Sequence, residues 1–294
     1  MASVQDISRR IRSVGNTRKI TRAMELVAAA KLRRAQARIE AMRPYAERMQ
    51  ELMIGTARAS ASVRRLPLLQ RREVRTAALL PLTGDRGLAG AFNGQILRAA
   101  FARAHELAEE GVDVRWLVAG KKGASTLRFR RYSVEQAWAG FSDSPRYENA
   151  QAIAHRISEL YTEQEIDQLL LVYNHFESAL VQRVVTQEVL PIPETLLESE
   201  DEHEKALLGD FIYEPEPEQI LERLLPVYVE TEVYRALLES AASEQGARMT
   251  AMRNATKNAG ELIDALTLSM NRARQAEITQ EILEVVAGAE ALTT

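Results

Sequence analysis

The residues that most obviously suggest ligand binding are glycines that follow the first predicted strand, where a phosphate-binding loop would lie. The stretch from Gly84 to Gly90 reads GDRGLAG. A dinucleotide-binding turn needs G-x-G-x-x-G and a P-loop needs G-x-x-x-x-G-K-[ST], so that backbone amides can approach phosphate, and this chain has neither at these positions. We interpret this stretch, and the loop Gly120–Gly123, as tight strand-to-helix turns without nucleotide.

Side chains that act as nucleophiles, bases or metal ligands in other proteins show no matching pattern. The four histidines have no partner at metal-ligand spacing, the carboxylates show no distinctive pairing, and there is no G-x-S-x-G nucleophile turn. The chain has no cysteine, which excludes disulfides and thiolate chemistry. The sequence therefore predicts no catalytic residue, no cofactor and no metal.

A long helix is predicted at the end of the chain, from about Glu230 to Leu292. Small and apolar residues recur there at alternating steps of three and four, the heptad pattern of a helix that packs along another helix. These seam positions are Met249, Met252, Thr256, Ala259, Ile263, Leu266, Met270 and Ala273. At 1.5 Å per residue the helix would be roughly 90–100 Å long, far more than a globular domain needs. We expect a strut that has a helical partner.

The partner is predicted at the start of the chain, after a capping box formed by Ser3 and Asp6. The same alternation of three and four runs through Ile7, Ile11, Val14, Arg18, Thr21, Glu25, Ala28, Leu32, Ala35, Ile39, Met42, Ala46, Met49 and Met53. Arg18 and Glu25 are charged, so either they fix the register or the seam is open to another molecule there. The simplest architecture is a long antiparallel coiled coil of the two terminal helices.

The middle of the chain has the alternating pattern of an α/β domain. Strands are predicted at Val74–Leu82, Val112–Ala119, Tyr132–Gln136, Ile166–Tyr173 and Leu180–Leu190, and helices at Gln95–Glu110, Lys121–Arg130 and Arg146–Thr162. Strands separated by helices pair in parallel with crossovers. The last connection is too short for a crossover, so the final strand should be an antiparallel edge strand. We expect a small Rossmann-like domain.

The predicted fold class is therefore α/β, with a long antiparallel coiled coil and a central Rossmann-like domain. The domains are an N-terminal coiled-coil helix at 1–58, a linker at 59–73, the Rossmann-like domain at 74–213 and a C-terminal coiled-coil helix at 214–294. Two prolines bear on the helices: Pro44 should kink the first, and Pro226 should either start or kink the last.

The tail of the last helix carries apolar residues that the coiled coil alone leaves unexplained. They are Ile278, Ile282, Leu283, Val285, Val286, Ala289 and Leu292. If the coiled coil is antiparallel, the last helix outlasts its partner by roughly 10–20 residues. We expect another chain to bury this tail.

Charge is distributed unevenly along the chain, although the net charge is only −3. Residues 1–72 are basic and residues 198–222 are acidic, which indicates either charged partners at different places or the solvated faces of long helices. No run of 18 apolar residues occurs, and the N-terminus lacks the apolar core of a signal peptide.

Four motifs, in the same order along the chain, resemble the gamma subunit of F-type ATP synthases. They are IRSVGNTRKITRAMELVAAAKL at Ile11–Leu32, DRGLAG at Asp85–Gly90, SEQGARMTAM at Ser243–Met252 and RQAEITQEI at Arg274–Ile282. The resemblance covers essentially the whole chain. It implies a non-catalytic rotor shaft that couples proton-driven rotation of the c ring to ATP synthesis or hydrolysis in the ring of alpha and beta subunits.

The resemblance also implies partners, a location and roles for individual residues. The partners are the alpha and beta subunits, the epsilon subunit and the c ring, with no nucleic acid and no direct nucleotide binding, at the cytoplasmic face of the inner (plasma) membrane of a bacterium. Contacts with the catalytic ring are expected at Met24, Asp85, Arg86, Arg248, Arg274, Gln275, Thr279, Ile282 and Val286. Tyr213 and Glu214 are expected in the foot that meets the c ring and epsilon.

Two other functions stay open from the residues alone. The basic first helix could belong to a nucleic-acid adaptor, although its arginines are not interleaved with aromatic stacking residues. An enzyme built on the Rossmann-like domain is the other alternative. Salt-sensitive binding of plain DNA would favour the adaptor, and stoichiometric nucleotide binding by the isolated chain would favour the enzyme.

Overall fold

The computed structural model describes residues 3–58, 66–178, 181–193 and 216–293. The chain divides into two compact units, one formed by residues 1–28 and 249–294 and the other by residues 29–248. Each unit is described by itself below. No helix in the described ranges is both long enough and apolar enough to cross a membrane.

Two long helices carry the terminal parts of the chain. Helix α1 spans Val4–Arg58 and helix α5 spans Pro217–Thr293. The hydroxyl half of the predicted capping box is present, because the Ser3 hydroxyl accepts a hydrogen bond from the Asp6 amide at 3.2 Å and donates one to the Asp6 carboxylate at 3.0 Å. Helix α1 continues through Pro44.

Helix α5 begins earlier than the sequence indicated. Its first residue is Pro217, so the start expected near Glu230 was wrong, whereas the predicted domain boundary at residue 214 lies close to the observed start; Pro226 lies inside the helix. A proline inside a helix costs about 3 kcal/mol, because it lacks a donor and crowds the preceding turn. The four-residue row of Leu221, Leu225, Val229 and Val233 is almost completely buried on either side of it. Burying four such side chains contributes about 1.5–3 kcal/mol each, which outweighs the cost of the proline.

The first unit is an antiparallel pair of helical segments, as predicted. Thr21 and Thr256 share a hydrogen bond of 2.8 Å between their hydroxyl groups, and the Arg253 guanidinium lies 3.1 Å from the Glu25 carboxylate. The residue numbers of the facing residues add up to 277 or 278 in both pairs, which is the signature of an antiparallel register. With α1 beginning at Val4, the facing part of α5 ends near Arg274.

Burial in this unit follows the predicted seams. Every seam position from Ile7 to Ala28 and from Met249 to Ala273 is buried or half-buried, except Arg18, which is exposed. Arg18 lies opposite Gly260, where a side chain is missing: a Cβ built on Gly260 would be 3.9 Å from the guanidinium. A Cβ at this distance would be in ordinary van der Waals contact with Arg18.

The second unit contains a five-stranded sheet in the order β3-β2-β1-β4-β5. The strands are β1 Thr76–Pro81, β2 Asp113–Ala119, β3 Val134–Trp138, β4 Gln168–Phe176 and β5 Gln182–Leu190. The helices between them are α2 Phe92–Glu109, α3 Lys121–Phe129 and α4 Tyr147–Thr162. The first four strands are parallel and β5 is an antiparallel edge strand, which confirms the predicted Rossmann-like topology.

Two apolar clusters cover the two faces of the sheet. Helices α2 and α3 pack on one face, against residues such as Leu79 and Val118. The other face is covered by α4 together with parts of both long helices, including Met49 and Met53 of α1 and Leu221 to Leu237 of α5. The long helices are therefore also structural elements of the α/β body, which the division into predicted domains did not include.

The end of the predicted linker is packed rather than extended. Leu68 and Leu69 are buried in a short 3-10 helix at Pro67–Leu69. The Arg72 guanidinium binds the Asp167 carboxylate and the carbonyl oxygens of Tyr161 and Ile166. This arginine fixes the start of the α/β body to the turn before β4.

Candidate functional site

Three loops meet at the carboxyl ends of the parallel strands, and Asp85 connects them. Its carboxylate accepts hydrogen bonds from the amides of Lys121 at 3.0 Å, Gly140 at 2.8 Å and Ser142 at 3.1 Å. Its own amide donates to the Ser142 hydroxyl at 2.8 Å. One side chain therefore joins the loops after β1, β2 and β3.

The amino end of α3, where helix N-terminal amides could bind an anion, is occupied by this chain. The Lys121 amide donates to Asp85, the Lys122 amide to the Gly84 carbonyl at 3.1 Å, and the Gly123 amide to the Thr83 hydroxyl at 2.9 Å. These are the amides that bind anions at helix N-termini. All three amides therefore already have acceptors within this chain.

The glycines of these turns serve close packing. Gly120 has a φ of 101°, and a Cβ added there would lie 2.0 Å from the Thr83 carbonyl oxygen. A Cβ on Gly84 would lie 2.8 Å from the Glu244 carboxylate of α5. Close contact with neighbouring backbone and with α5 therefore requires glycine at Gly120 and Gly84, which agrees with the interpretation of these stretches as tight turns.

A buried ion pair lies against this turn. Glu244 and Arg248, one turn apart on α5, are 2.6 Å apart, with side chains only 1% and 8% exposed. Arg248 also donates to the Gly87 carbonyl at 3.2 Å. Burial raises the pKa of Glu244, although the hydrogen bond from Arg248 acts in the opposite direction. The pair anchors the glycine-rich turn to α5.

The cations near this turn surround the carboxylate of Asp143, in the loop between β3 and α4. Lys31 of α1 is 2.7 Å from its carboxylate, and the Gln245 amide group donates to it at 2.9 Å. Arg248 and Arg86 lie 3.8 and 3.9 Å away. Burial works to raise the pKa of Asp143, but the bond from Lys31 leads the contacts that hold it below its usual value.

In the first unit, the charged seam residue Glu25 is buried and paired. Its carboxylate lies 2.8 Å from Arg22 of the same helix and 3.1 Å from Arg253 of α5. Burial opposes the ionised form, yet the bonds from Arg253 and Arg22 lower the pKa of Glu25. Of the two alternatives for this seam position, the contacts match fixing of the register. The neighbouring Met24 is half-buried.

The end of α5 has no cover in the part of the chain that the structure describes. Every side chain from Arg274 to Gly288 is exposed, including Gln275 and Thr279. The apolar Ile282 and Val286 are 57% and 53% exposed. The Thr279 hydroxyl donates to the Gln275 carbonyl one turn back at 2.9 Å.

The structure brings some of the predicted site residues together and separates others. Asp85, Arg86 and Arg248 form one cluster with Asp143, whereas Met24 and the residues after Arg274 belong to the other unit. The predicted foot residues Tyr213 and Glu214 lie outside the described residues. Within the described ranges, no group of His, Cys, Asp and Glu is arranged to hold a metal ion.

Sequence reasoning missed Asp143 together with its partners Lys31 and Gln245. The glycine, serines and proline of residues 140–145 are typical of a loop, but nothing local indicates which helices this loop contacts. The three side chains come from parts of the chain that are far apart in sequence. Only the packed structure brings them together.

Comparison with known proteins gives consistent matches over the whole chain. The model of a family described as ATP synthase matches residues 3–292. The ATP synthase gamma chain of Rubrobacter xylanophilus is 48% identical over 293 residues, covering 99% of both chains. That of Moorella thermoacetica is 47% identical over 292 residues, covering 99% of this chain and 100% of the relative.

Solved structures resemble the fold as well. A chain of the central stalk and c-ring structure of Tetrahymena thermophila mitochondrial ATP synthase matches with a TM-score of 0.59 and 30% identity, over 80% of this chain and 99% of that chain. A chain from the Euglena gracilis mitochondrial ATP synthase matches with a TM-score of 0.69 over 98% of this chain and 94% of that chain. At 17% identity, the second match shows a likeness of fold alone.

Proposed function

Since this chain belongs to the family of ATP synthase gamma chains, we propose that it is the central rotor shaft of a membrane-bound rotary ATP synthase. The shaft couples proton-driven rotation of a c ring to ATP synthesis or hydrolysis in a ring of alpha and beta subunits. The chain itself is a non-catalytic subunit.

The observation that carries this proposal is the uncovered end of α5. Five aliphatic residues in the part of α5 beyond its pairing with α1 are each about half exposed or more: Ile278, Ile282, Leu283, Val285 and Val286. Exposed apolar residues in such a row indicate a surface that another molecule covers. A sleeve formed by the alpha and beta subunits would cover them on all sides.

The asymmetry of the two helices explains how such a shaft acts. Identical beta subunits can differ in nucleotide affinity only if something asymmetric contacts them, and the pair of unequal helices is asymmetric. As the shaft turns, each beta subunit meets a different face. These differential contacts shift each site between its open and closed states.

The proposed contacts follow the exposure of the side chains. We propose that the exposed Arg274, Gln275 and Thr279 and the half-buried Met24 contact the ring directly. Arg86, which is 77% exposed beside the glycine-rich turn, would join them. Asp85 and Arg248 belong to the same contact region, where they support the turn that presents Arg86. We place Tyr213 and Glu214 in the foot, against the c ring and the epsilon subunit. The complex would lie at the cytoplasmic face of the plasma membrane.

An experiment with purified subunits tests the proposal. The chain, mixed with alpha and beta subunits of a related bacterial enzyme, should form a complex that hydrolyses ATP and turns a bead attached to this chain. The chain alone should bind no ATP at micromolar concentrations, because the turn after the first strand has no phosphate-binding motif and the amides at the start of α3 already have acceptors. Calorimetry that detected one tight ATP site on the chain alone would contradict the proposal and favour an enzyme.

A further inference from the structure

The loop of residues 140–145, called the clasp loop here, is fixed firmly to the sheet. The Gly140 and Ser142 amides both donate to the Asp85 carboxylate, at 2.8 and 3.1 Å, and the Ser142 hydroxyl accepts from the Asp85 amide at 2.8 Å. Hydrogen bonds to an ionised carboxylate are about twice as strong as those between neutral groups. The loop therefore moves with the α/β body.

The same loop holds helix α1. The Lys31 ammonium lies 2.7 Å from one oxygen of Asp143, Oδ2. About two turns further along α1, the Arg38 guanidinium donates to the Ser144 hydroxyl at 2.8 Å and lies 3.5 Å from the Pro145 carbonyl oxygen. Two cations on one face of α1 are thus bound by consecutive residues of the loop.

The other oxygen of Asp143, Oδ1, holds helix α5. The Gln245 side-chain amide donates to it at 2.9 Å, and the Arg248 guanidinium lies 3.8 Å away. Gln245 and Arg248 are themselves buried. A single carboxylate therefore contacts α1 through one oxygen and α5 through the other, while its loop is bound to the sheet.

We infer that Asp143 is a positioning residue that keeps α1 and α5 in fixed alignment with each other and with the α/β body while the rotor is under torque. Apolar packing between helices is non-directional, so it resists separation better than sliding or twisting. Charge-assisted hydrogen bonds have defined directions and resist these motions. The inference rests on the proposed function, because only a rotor transmits torque through these helices.

Replacement of Asp143 in the assembled complex tests this role. In the whole ATP synthase reconstituted in vesicles, Asp143→Ala should leave the KM for ATP and the rate of hydrolysis near those of the wild type. The number of protons pumped per ATP hydrolysed should fall by up to about twofold, since a lost hydrogen bond to a charged group shifts the equilibrium between aligned and misaligned helices by about tenfold and leaves a mostly aligned rotor about half aligned. Fluctuations in the angle of a bead attached to the α/β body should widen.

Asp113→Ala is the matched control. Asp113 is an exposed aspartate at the start of β2, and its side chain makes no hydrogen bond or ion pair with the described residues. The control should pump like the wild type. If complexes with the wild type and with Asp113→Ala fail to couple as well, the proposed function is contradicted. Normal coupling by Asp143→Ala would overturn the present inference alone.

Two further variants keep the test decisive if Asp143→Ala assembles poorly. Asp143→Asn retains an acceptor for Gln245 but loses the charge that faces Lys31, so it should show a smaller loss of coupling in the same direction. Because the chain has no cysteine, Lys31→Cys with Asp143→Cys can be joined by a short thiol-reactive linker in otherwise cysteine-free subunits. The linked protein should regain coupling. A linked rotor that remains as uncoupled as the unlinked one would overturn the inference. That outcome would show that loss of Asp143 destabilises the fold rather than misaligns the helices.

Discussion

Two segments of helix α5 reverse the usual distribution of polar and apolar residues. All of residues 236–246 are buried, although they include Glu239, Ser240, Ser243, Glu244 and Gln245. All of residues 274–288 are exposed, although they include five large aliphatic side chains, namely Ile278, Ile282, Leu283, Val285 and Val286. For the polar residues of the first segment and the aliphatic residues of the second, residue type alone therefore predicts the opposite of what is found.

The first segment is buried because every polar group has a partner. Ser240 and Ser243 donate to the carbonyl oxygens of Leu82 and Asn174, at 3.1 and 3.0 Å. Glu239 is bonded to His175 at 2.6 Å and to Arg235 at 3.2 Å. Buried polar groups are tolerated when they are hydrogen-bonded and costly when they are not. The second segment is exposed because no described part of this chain packs on it, and we propose that other subunits cover it.

The largest expected effect is the loss of the buried pair in the first segment. Arg248→Ala leaves the Glu244 carboxylate buried without a cation, which should cost about 3–5 kcal/mol of unfolding free energy. Urea denaturation of the full chain measures it. Arg48→Ala is the control, since Arg48 is 78% exposed in its pair with Glu51 and should contribute about 0–1 kcal/mol. Equal losses of unfolding free energy in the two variants would show that the buried pair contributes no more than an exposed pair.

The second segment should respond to charge only inside the assembled complex. Val286→Asp should leave the unfolding free energy of the free chain nearly unchanged, because Val286 is 53% exposed there. In the complex an unpaired ion out of water costs several kcal/mol, so assembly or turnover should fall severely. Val286→Ala is the control and should leave hydrolysis nearly intact. Normal assembly of the aspartate variant would mean that nothing encloses this end of α5.

A smaller effect is expected where the glycine-rich turn touches the first segment. Gly84→Ala places a Cβ about 2.8 Å from the Glu244 carboxylate, which Arg248 holds in place. Crowding of this kind typically costs about 1–3 kcal/mol. Gly94→Ala, which has open space at the Cβ, should be neutral or slightly stabilising. Thermal unfolding of both variants separates the two cases, and a neutral Gly84→Ala would show that Glu244 is free to move.

The smallest effect concerns Glu25, whose charge is screened more than that of Glu244. Because its pKa is lowered from 4.5 in the folded chain, its pairing stabilises the fold above about pH 4.5 and this stabilisation is lost as the pH falls through the lower value. Its partners are about 60% exposed, so the contribution should be at most about 1 kcal/mol. The stability difference between the wild type and Glu25→Gln, measured from pH 7 down to pH 3, should shrink towards zero. A difference that grew on acidification would contradict the assignment.

The sequence by itself determined the elements and their order. The heptad steps from Ile7 to Ala28 and from Met249 to Ala273 predicted which residues are buried in the coiled coil, and Arg18 was the single exposed exception. The alternating pattern of the middle predicted the parallel sheet and its antiparallel edge strand. These features are local: periodicity along a helix or strand depends only on residues a few positions apart.

Only the tertiary structure decided what the polar residues do and where α5 begins. Locally, Pro226 allowed either a helix start or a kink, and four buried aliphatic residues of α5 extend the helix back to Pro217. Asp143 acquires its role from Lys31 and Gln245, which lie about a hundred residues away on either side of it. The stability of a buried charge depends on which partner the fold brings within about 3 Å of it, and that distance is set by the packing of distant elements rather than by neighbouring residues.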